Sequence, residues 1–374
     1  MKIAIVYDWI DKWGGVERVL LALHEMFPEA DYYTSYVDYQ SAGWAEDLNI
    51  RTSFIAKFPS FIKKNRIFSL PFYPYAFESF DLSAYDVVLS VTSSFAKGII
   101  TKPTTKHICY LLTPTRFLWV YPEIYEQNKI ITPVSSYFSE KLREWDYLAA
   151  QRPDKYVSIS KNVANRCQKY YRQSSEVIYP PFDEEYWSSL SSRMHSTVGN
   201  DFKPFPTQNY FLVVSRLEPY KKVDLIIDTF NNLPDQNLVI IGQGTQFNLL
   251  KSKAGKNIAF LQNISDEELV SLYKNAQALI MPQEEDFGYV AIEAQFLGCP
   301  VIAFNKGGAE ETLIENKTAV FFKKQSPEAL SDAIARFASL SYNLKKSTKT
   351  FGVEQSRKFS LIKFKVLMLK VIND

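Results

Sequence analysis

The stretch Met281–Phe304, MPQEEDFGYVAIEAQFLGCPVIAF, decides how the rest of the chain is read. The apolar run Ala278-Leu279-Ile280-Met281 stops at Pro282, an acidic loop Gln283-Glu284-Glu285-Asp286 follows, and the chain turns at Phe287-Gly288. Tyr289 to Leu297 carries a helical pattern stopped by Gly298, and Cys299-Pro300 leads into a second apolar run, Val301-Ile302-Ala303-Phe304. Short continuous apolar runs are what strands buried on both faces of a parallel sheet require. The order predicts strand, loop, helix and strand, with the acidic loop at the carboxyl end of the sheet, where open α/β folds bind ligands. Two carboxylates sit eight residues apart here, Glu285 in the loop and Glu293 in the helix. They share no simple helical face. The turn can bring both towards one crevice; the plainer reading makes Glu285 a solvated loop charge and Glu293 an exposed helix residue.

A chain of 374 residues is too long for one ordinary core, and two domains of ~150–180 residues each are expected. With 46% hydrophobic and 22% charged residues it is globular, and a net charge of +2 marks no nucleic-acid binder. The three cysteines, Cys109, Cys167 and Cys299, are odd in number and lack CxxC spacing, which fits a reducing cytosol. The three histidines, His24, His107 and His195, have no metal-ligand spacing. Met1-Lys2 leads directly into a strand pattern, so no signal peptide is expected, and no run of ~18 apolar residues suggests a membrane span. The expectation is a cytoplasmic protein.

Lys2–Tyr7 has the apolar, β-branched character of a buried parallel strand, and a loop with Trp9, Asp11 and Trp13 leads to Gly14-Gly15 and a helix through Val16, Val19, Leu20 and Leu23. Backbone amides at such a helix start suit a diphosphate, although a Gly-Gly pair also serves as an ordinary turn. Further strands are expected at 31–36, 50–55, 86–91, 107–112, 156–159 and 176–179, alternating with helices as in a doubly wound parallel sheet. Residues 188–208 are rich in Ser, Thr, Pro, Gly and Asn and read as a linker. A second α/β set follows, with helices at 223–231, 266–276 and 327–340 and an apolar helical tail from Phe359 to Val371. Two such halves suggest a cleft between them that holds a small molecule. The segment Lys57–Phe68 alternates Phe and Ile with Lys and Arg, and Leu70, Phe72, Tyr73, Tyr75 and Phe77 follow. It reads equally as an anionic-membrane contact or as a helix with one buried and one solvated face.

Ser215-Arg216-Leu217-Glu218-Pro219-Tyr220-Lys221-Lys222 follows a strand and opens a helix, placing a guanidinium and an ammonium five residues apart. Such a pair can clamp a diphosphate leaving group and offset the charge that develops on it, although a basic pair in a loop is commonly just solvated. With Gly242/Gly244 after the next strand and Glu285/Glu293 later, three sheet-end features in one half suit a nucleotide-diphosphate sugar.

The order SRLEPYKK, IGQG, EEDFGYVAIEAQFLGCPVIA and KGGAEE resembles the family 4 retaining glycosyltransferases of the GT-B fold, especially bacterial mannosyl- and rhamnosyltransferases of polysaccharide assembly. GGVERVL, PFYPYAFESFDLSAYDVV, CYLLTPTRFLW and VIYPPFD extend the resemblance over nearly the whole chain. It implies two Rossmann-like doubly wound domains facing a deep cleft. An acceptor-binding domain is expected over 1–187, a linker over 188–208, a nucleotide-sugar domain over 209–352, and a last helix over 353–374 crossing back to the first domain. It further implies that Glu285 contacts donor-sugar hydroxyls and Glu293 the ribose. Arg216 and Lys221 would hold the diphosphate with the amides of Gly14 and Gly15, and Gly242 would line the donor site. Phe287, Gly288, Tyr289 and Val290 would offer main-chain donors. Retention is expected by front-face attack, with neither protein nucleophile, metal nor cofactor. Asp11, Arg116 and Trp119 are the candidates on the acceptor side.

Two departures stand out. Relatives often carry histidine where Leu112 stands in Tyr110-Leu111-Leu112-Thr113-Pro114-Thr115-Arg116. That histidine can bond a donor 6-hydroxyl and leucine cannot, which suits a 6-deoxyhexose or pentose donor, a moved acceptor, or plain drift. Asn316 stands where relatives often have glycine, and Asn tolerates a left-handed turn. The expected enzyme is a retaining hexosyltransferase moving a sugar from a nucleotide sugar, GDP-mannose as first guess, to a glycan or polyprenyl-linked acceptor. It would work in the cytoplasm or peripherally at the cytosolic face of the inner membrane, in cell-surface polysaccharide synthesis. The alternatives are a degenerate nucleotide-sugar-binding subunit and a GT-B sugar-nucleotide epimerase.

Overall fold

The structure is a computed structural model that describes residues 1–123, 133–197 and 209–374. The chain divides into two compact units, Met1–Pro181 with Phe364–Asp374, and Phe182–Lys363. Each is built on one parallel sheet.

In the first unit, strands β1 (Ile3–Tyr7), β2 (Asp31–Thr34), β3 (Asn49–Thr52), β4 (Val87–Thr92), β5 (Lys106–Leu111), β6 (Lys155–Ser158) and β7 (Glu176–Val177) pair in the order β3-β2-β1-β4-β5-β6-β7. β1 and β4 are fully buried, and their register runs from Ile3 opposite Val87 to Tyr7 opposite Val91. Strand order reverses between these two, so the loops leaving β1 and β4 diverge and open a crevice at their carboxyl ends. Aromatic packing fills one face of the sheet: Tyr73 stacks on Phe95 with centroids 4.8 Å apart, beside buried Phe77.

The second unit repeats the plan with β8 (Tyr210–Val214), β9 (Asn237–Ile241), β10 (Ile258–Leu261), β11 (Leu279–Met281), β12 (Val301–Phe304) and β13 (Ala319–Phe322), in the order β10-β9-β8-β11-β12-β13. Its reversal lies between β8 and β11, the two strands that the cationic and acidic motifs follow. The helix Val223–Asn231 lies where periodicity places it, and Leu225, Ile226, Ile227 and Phe230 are buried on the sheet.

Three boundaries differ from the sequence reading. The expected linker, 188–208, begins inside a helix, Glu184–Thr197, anchored by buried Trp187 and Leu190 and belonging to the second unit; 198–208 lie outside the described residues. The helix expected to end at Leu340 continues from Pro327 to Ser356. It does so along a buried line of Leu344, Thr348, Gly352 and Gln355, where a Cβ on Gly352 would lie 2.0 Å from the Gln295 carbonyl oxygen. Glycine lets two helices touch there. Of the last helix, Leu361–Asn373, the residues from Phe364 onward belong to the first unit. Phe364 meets the Tyr110 ring edge-on, and Lys106 Nζ donates to the Val371 carbonyl at 2.8 Å. Asn316 takes φ 59°, the left-handed turn expected of it. Among the described residues no helix is long and apolar enough to cross a membrane.

Candidate functional site

The site in the second unit starts from two loops that hold each other. Leu217 N donates to the Gln243 carbonyl at 2.8 Å, and Glu218 accepts from the amide and hydroxyl of Thr245. These contacts need bare backbone: a Cβ on Gly242 would fall 1.8 Å from the Ser215 oxygen, and one on Gly244 2.4 Å from the Leu217 oxygen. Gly242 therefore shapes the cationic loop whatever it does for a ligand. The loop then makes a single 3-10 turn, Pro219–Lys221, stopped by Lys222 in the left-handed region at φ 54°. That turn directs Lys221 inward, where it is largely buried.

Lys221 Nζ meets the Glu285 carboxylate, and Gln283 Nε2 donates to the same Glu285 oxygen at 2.6 Å. Ammonium and carboxylate come from residues 64 apart in sequence, one following β8 and the other β11. Arg216 Nη2 bonds the Tyr220 hydroxyl at 2.6 Å, and both cations border the Tyr220 ring, Lys221 at 5.4 Å and Arg216 at 6.0 Å from its centroid. The acidic loop is fixed from behind: Gly308 N donates to the Glu285 carbonyl at 2.7 Å, and a Cβ on Gly308 would strike the Phe287 oxygen at 2.4 Å. Buried Phe287 packs edge-on against Tyr289 and Phe359. Gly288, at φ 91°, then starts the helix Tyr289–Phe296, so Tyr289 and Val290 occupy its first turn.

Glu293 is 3% exposed and accepts from the Tyr273 hydroxyl at 3.1 Å, which overturns the reading of it as an exposed helix residue. Glu285 is also not a freely solvated loop charge. Lys221, Glu285 and Gln283 are thus brought into contact, with Arg216 beside them through Tyr220; Glu293 is held separately by Tyr273. The sequence reading missed Gln283, Tyr220 and Tyr273. Gln283 stands two residues before Glu285 and Tyr220 lies between the two cations, so position alone could have flagged them, whereas Tyr273 carries no local signal.

In the first unit, Gly14 precedes the helix Gly15–Met26, and buried Glu17 in its first turn lies so close that a Cβ on Gly14 would be 3.0 Å from the carboxylate. A negative charge therefore already faces this helix start. Asp11 accepts from Arg66 at 2.7 Å and Tyr36 at 2.9 Å. Burial would raise its carboxyl, but Arg66 and Lys12 with these bonds bring it below the usual carboxylate range. Arg116 opens the short helix Arg116–Trp119, and Leu112 is buried, its amide bonded to the Thr92 carbonyl at 2.8 Å. Trp119 does not turn its N–H to a ligand. Its Nε1 donates to Asp146 at 2.8 Å, within a buried cluster in which Asp146 also accepts from Lys97 at 2.6 Å, Thr115 at 2.7 Å and Tyr171 at 2.9 Å. Asp8, fully buried, takes the β4 side of the crevice, accepting from Thr92 and from the amides of Ser93, Phe95 and Ala96 at 2.8–2.9 Å.

Among the described residues no group of three or more His, Cys, Asp or Glu is placed to hold a metal ion.

The glycosyl transferases group 1 family model matches residues 200–352, the segment that carries β8 to β13 and both motif loops. That segment, residues 200–352, is similar to the glycosyl transferases group 1. An uncharacterized glycosyltransferase of Methanocaldococcus jannaschii is 27% identical over 231 residues, 60% of this chain and 61% of that protein. A D-inositol 3-phosphate glycosyltransferase of Corynebacterium glutamicum is 36% identical over 138 residues, 33% of each chain. A GDP-mannose-dependent alpha-(1-6)-phosphatidylinositol monomannoside mannosyltransferase of Mycolicibacterium smegmatis is 30% identical over 138 residues, 32% of this chain and 36% of that one. The matches thus span less than two thirds of these relatives. In structure, the chain is similar to sucrose-phosphate synthase of Thermosynechococcus elongatus, with a TM-score of 0.73 at 15% identity over 100% of this chain and 98% of that one. The fold is GT-B, two parallel-sheet domains with helices on their faces.

Proposed function

We propose that the protein is a retaining glycosyltransferase that takes a hexose from a nucleotide-diphosphate sugar, with GDP-mannose the first candidate, and delivers it to a glycan or polyprenyl-linked acceptor. The observation that carries the reading is the meeting of Lys221 and Glu285 at the sheet reversal of the second unit, with Arg216 beside them. Two cations suit a diphosphate, and a carboxylate next to them suits the hydroxyls of the attached sugar. The Mycolicibacterium relative's GDP-mannose dependence supports the choice of first donor.

In the reaction, the bond from the anomeric carbon to the phosphate oxygen breaks and the acceptor hydroxyl bonds to the same face of that carbon. The acceptor proton passes to the departing phosphate, while Arg216 and Lys221 offset its growing negative charge. Glu293 serves the ribose. No side chain attacks the sugar, and no metal or cofactor is needed in this scheme. Asp11 and Arg116 are the candidates on the acceptor side. Trp119, whose N–H is committed to Asp146, contributes only its ring.

Six exposed apolar side chains on the first unit, Phe54, Phe61, Ile67, Phe68, Phe72 and Tyr75, support peripheral attachment to the cytosolic face of a membrane. Three of the four cations among them are engaged within the protein: Lys63 bonds the Ala56 carbonyl, Lys64 pairs with Asp38 at 2.6 Å and Arg66 with Asp11, while Lys57 is exposed. The attachment therefore rests on apolar insertion more than on charge.

Purified protein, a panel of nucleotide sugars and calorimetry test the reading. Lys221→Ala should weaken nucleoside-diphosphate binding about tenfold or more, the scale of one lost charge-assisted contact. Glu285→Ala should leave that binding intact or tighter, because it frees Lys221, and should abolish turnover of the nucleotide sugar. Turnover undiminished in both variants sinks the proposal. Leu112 supports a second reading, a donor lacking the 6-hydroxyl, and clear preference for GDP-mannose over 6-deoxy and pentose donors removes it.

A further inference from the structure

A cavity of about 890 Å³ lies within the second unit and shares no residue with the Lys221–Glu285 cluster. Helix Pro327–Ser356 contributes Lys345, Lys346 and Lys349, the end of helix Asp266–Asn275 contributes Lys274, and helix Glu184–Thr197 adds Ser188, Ser191 and Ser192, the last with its hydroxyl donated to the Ser188 carbonyl at 2.9 Å. Tyr342, 79% exposed, stands at the rim. Among the described residues no carboxylate lines the cavity and none of the four lysines has an ion-pair partner. The chain as a whole is almost balanced, with 43 Lys and Arg against 41 Asp and Glu, so four unbalanced cations around one hollow are a local concentration.

Ordinary helix electrostatics does not explain them. Lys345 and Lys349 are four apart in the middle of a 30-residue helix, a like-charge spacing that disfavours the helix. The carboxyl end of helix Tyr289–Phe296 also borders the cavity, but such an end supplies only about half a negative charge. Lys274 Nζ reaches one acceptor, the Ser191 carbonyl at 3.2 Å, and its desolvation lowers its pKa, a cost that a bound anion would offset.

We propose that this cavity binds a ligand carrying two or more phosphate groups. Compact ammonium groups suit tetrahedral oxyanions, and among the described lining residues no guanidinium is present to grip a planar carboxylate in a bidentate fork. The exposed Tyr342 ring offers a flat surface for an organic portion of the ligand. The site is a concave one for a small molecule, within the ~300–1,000 Å³ range of ligand pockets.

Calorimetry with inorganic tripolyphosphate tests it, run in the full chain carrying Arg216→Ala and Lys221→Ala so that the sheet-end cations cannot contribute. One tripolyphosphate should bind per chain, and orthophosphate more weakly. Replacing Lys345, Lys346 and Lys349 by alanine should weaken binding about tenfold, as expected for three partly exposed charge contacts. Raising salt from ~0.05 to ~0.5 M should weaken it as well. Lys274→Gln, a single change on another helix, should give a smaller loss in the same direction. Absence of binding, affinity unchanged by both sets of variants, or lysine-dependent binding to anionic vesicles but not to tripolyphosphate would overturn the proposal. Because Arg216 and Lys221 are already removed, none of these results depends on the donor site.

Discussion

Asp146 offers the sharpest test of how the first unit is held together. Its carboxylate collects Lys97 from the turn after β4, Thr115 and Trp119 from the segment after β5, and Tyr171 from the end of the helix Lys161–Tyr171. The Lys97 and Asp146 side chains are 1% and 0% exposed. Asp146→Ala leaves an ammonium buried without its counter-charge, which costs ~3–5 kcal/mol even after local relaxation. Lys97→Met is expected to cost less, about 1.5–3 kcal/mol, because Asp146 keeps three donors. Pairing Lys97→Met with Asp146→Leu should cost less than the sum of the single changes, since no charge is then left buried. Thermal melts followed by tryptophan fluorescence would show Asp146→Ala lowering the first unit's Tm by roughly 6–20 °C. A loss below ~1 kcal/mol, or Lys97→Met costing more than Asp146→Ala, would refute the view of Asp146 as the hub.

Burial, helped by Arg152, pushes the His107 imidazole from its ordinary 6.5 down to about 3, and Ser90 Oγ lies 2.8 Å from Nε2. The folded form stays neutral while the unfolded chain takes up a proton below pH 6.5, so this stabilisation is full above 6.5 and is lost as pH falls towards 3. The loss is of order 5 kcal/mol, at up to ~1.4 kcal/mol per pH unit. His107→Gln should flatten that part of the stability–pH curve, and an unchanged slope would contradict the assignment. For the exposed apolar segment, co-sedimentation with vesicles should fall at least ~tenfold in a Phe61→Ser/Ile67→Ser/Phe68→Ser variant. Lys63→Ala and Lys64→Ala should matter little; the reverse pattern would make the contact electrostatic.

The sheet strands were legible because parallel strands buried on both faces must be continuous apolar runs, as in β1, β8 and β12. The helix Glu184–Thr197 was not: Ser188, Ser189, Ser191 and Ser192 resemble a linker, and only Trp187 and Leu190 anchor the helix. The far half of Pro327–Ser356 was missed because its buried positions are Thr348, Gly352 and Gln355, chosen for close helix contact and not for hydrophobicity. In the site, both charged loops could be placed at strand ends from the sequence. That Lys221 touches Glu285 follows from β8 and β11 being neighbours, which is a property of sheet order and leaves no local mark. The Asp146 cluster joins residues as far apart as 97 and 171, and periodicity cannot see such a connection.

The assignment of Phe364–Asp374 to the first unit bears on synthesis. A chain made from its amino end completes seven strands long before it makes the helix segment that packs Phe364 on Tyr110 and accepts from Lys106. The second unit, contiguous from Phe182 to Lys363, has all its parts first. On the ribosome the first unit is therefore completed after the second, and Tyr110 and Lys106 wait for their partners until the helix Leu361–Asn373 emerges.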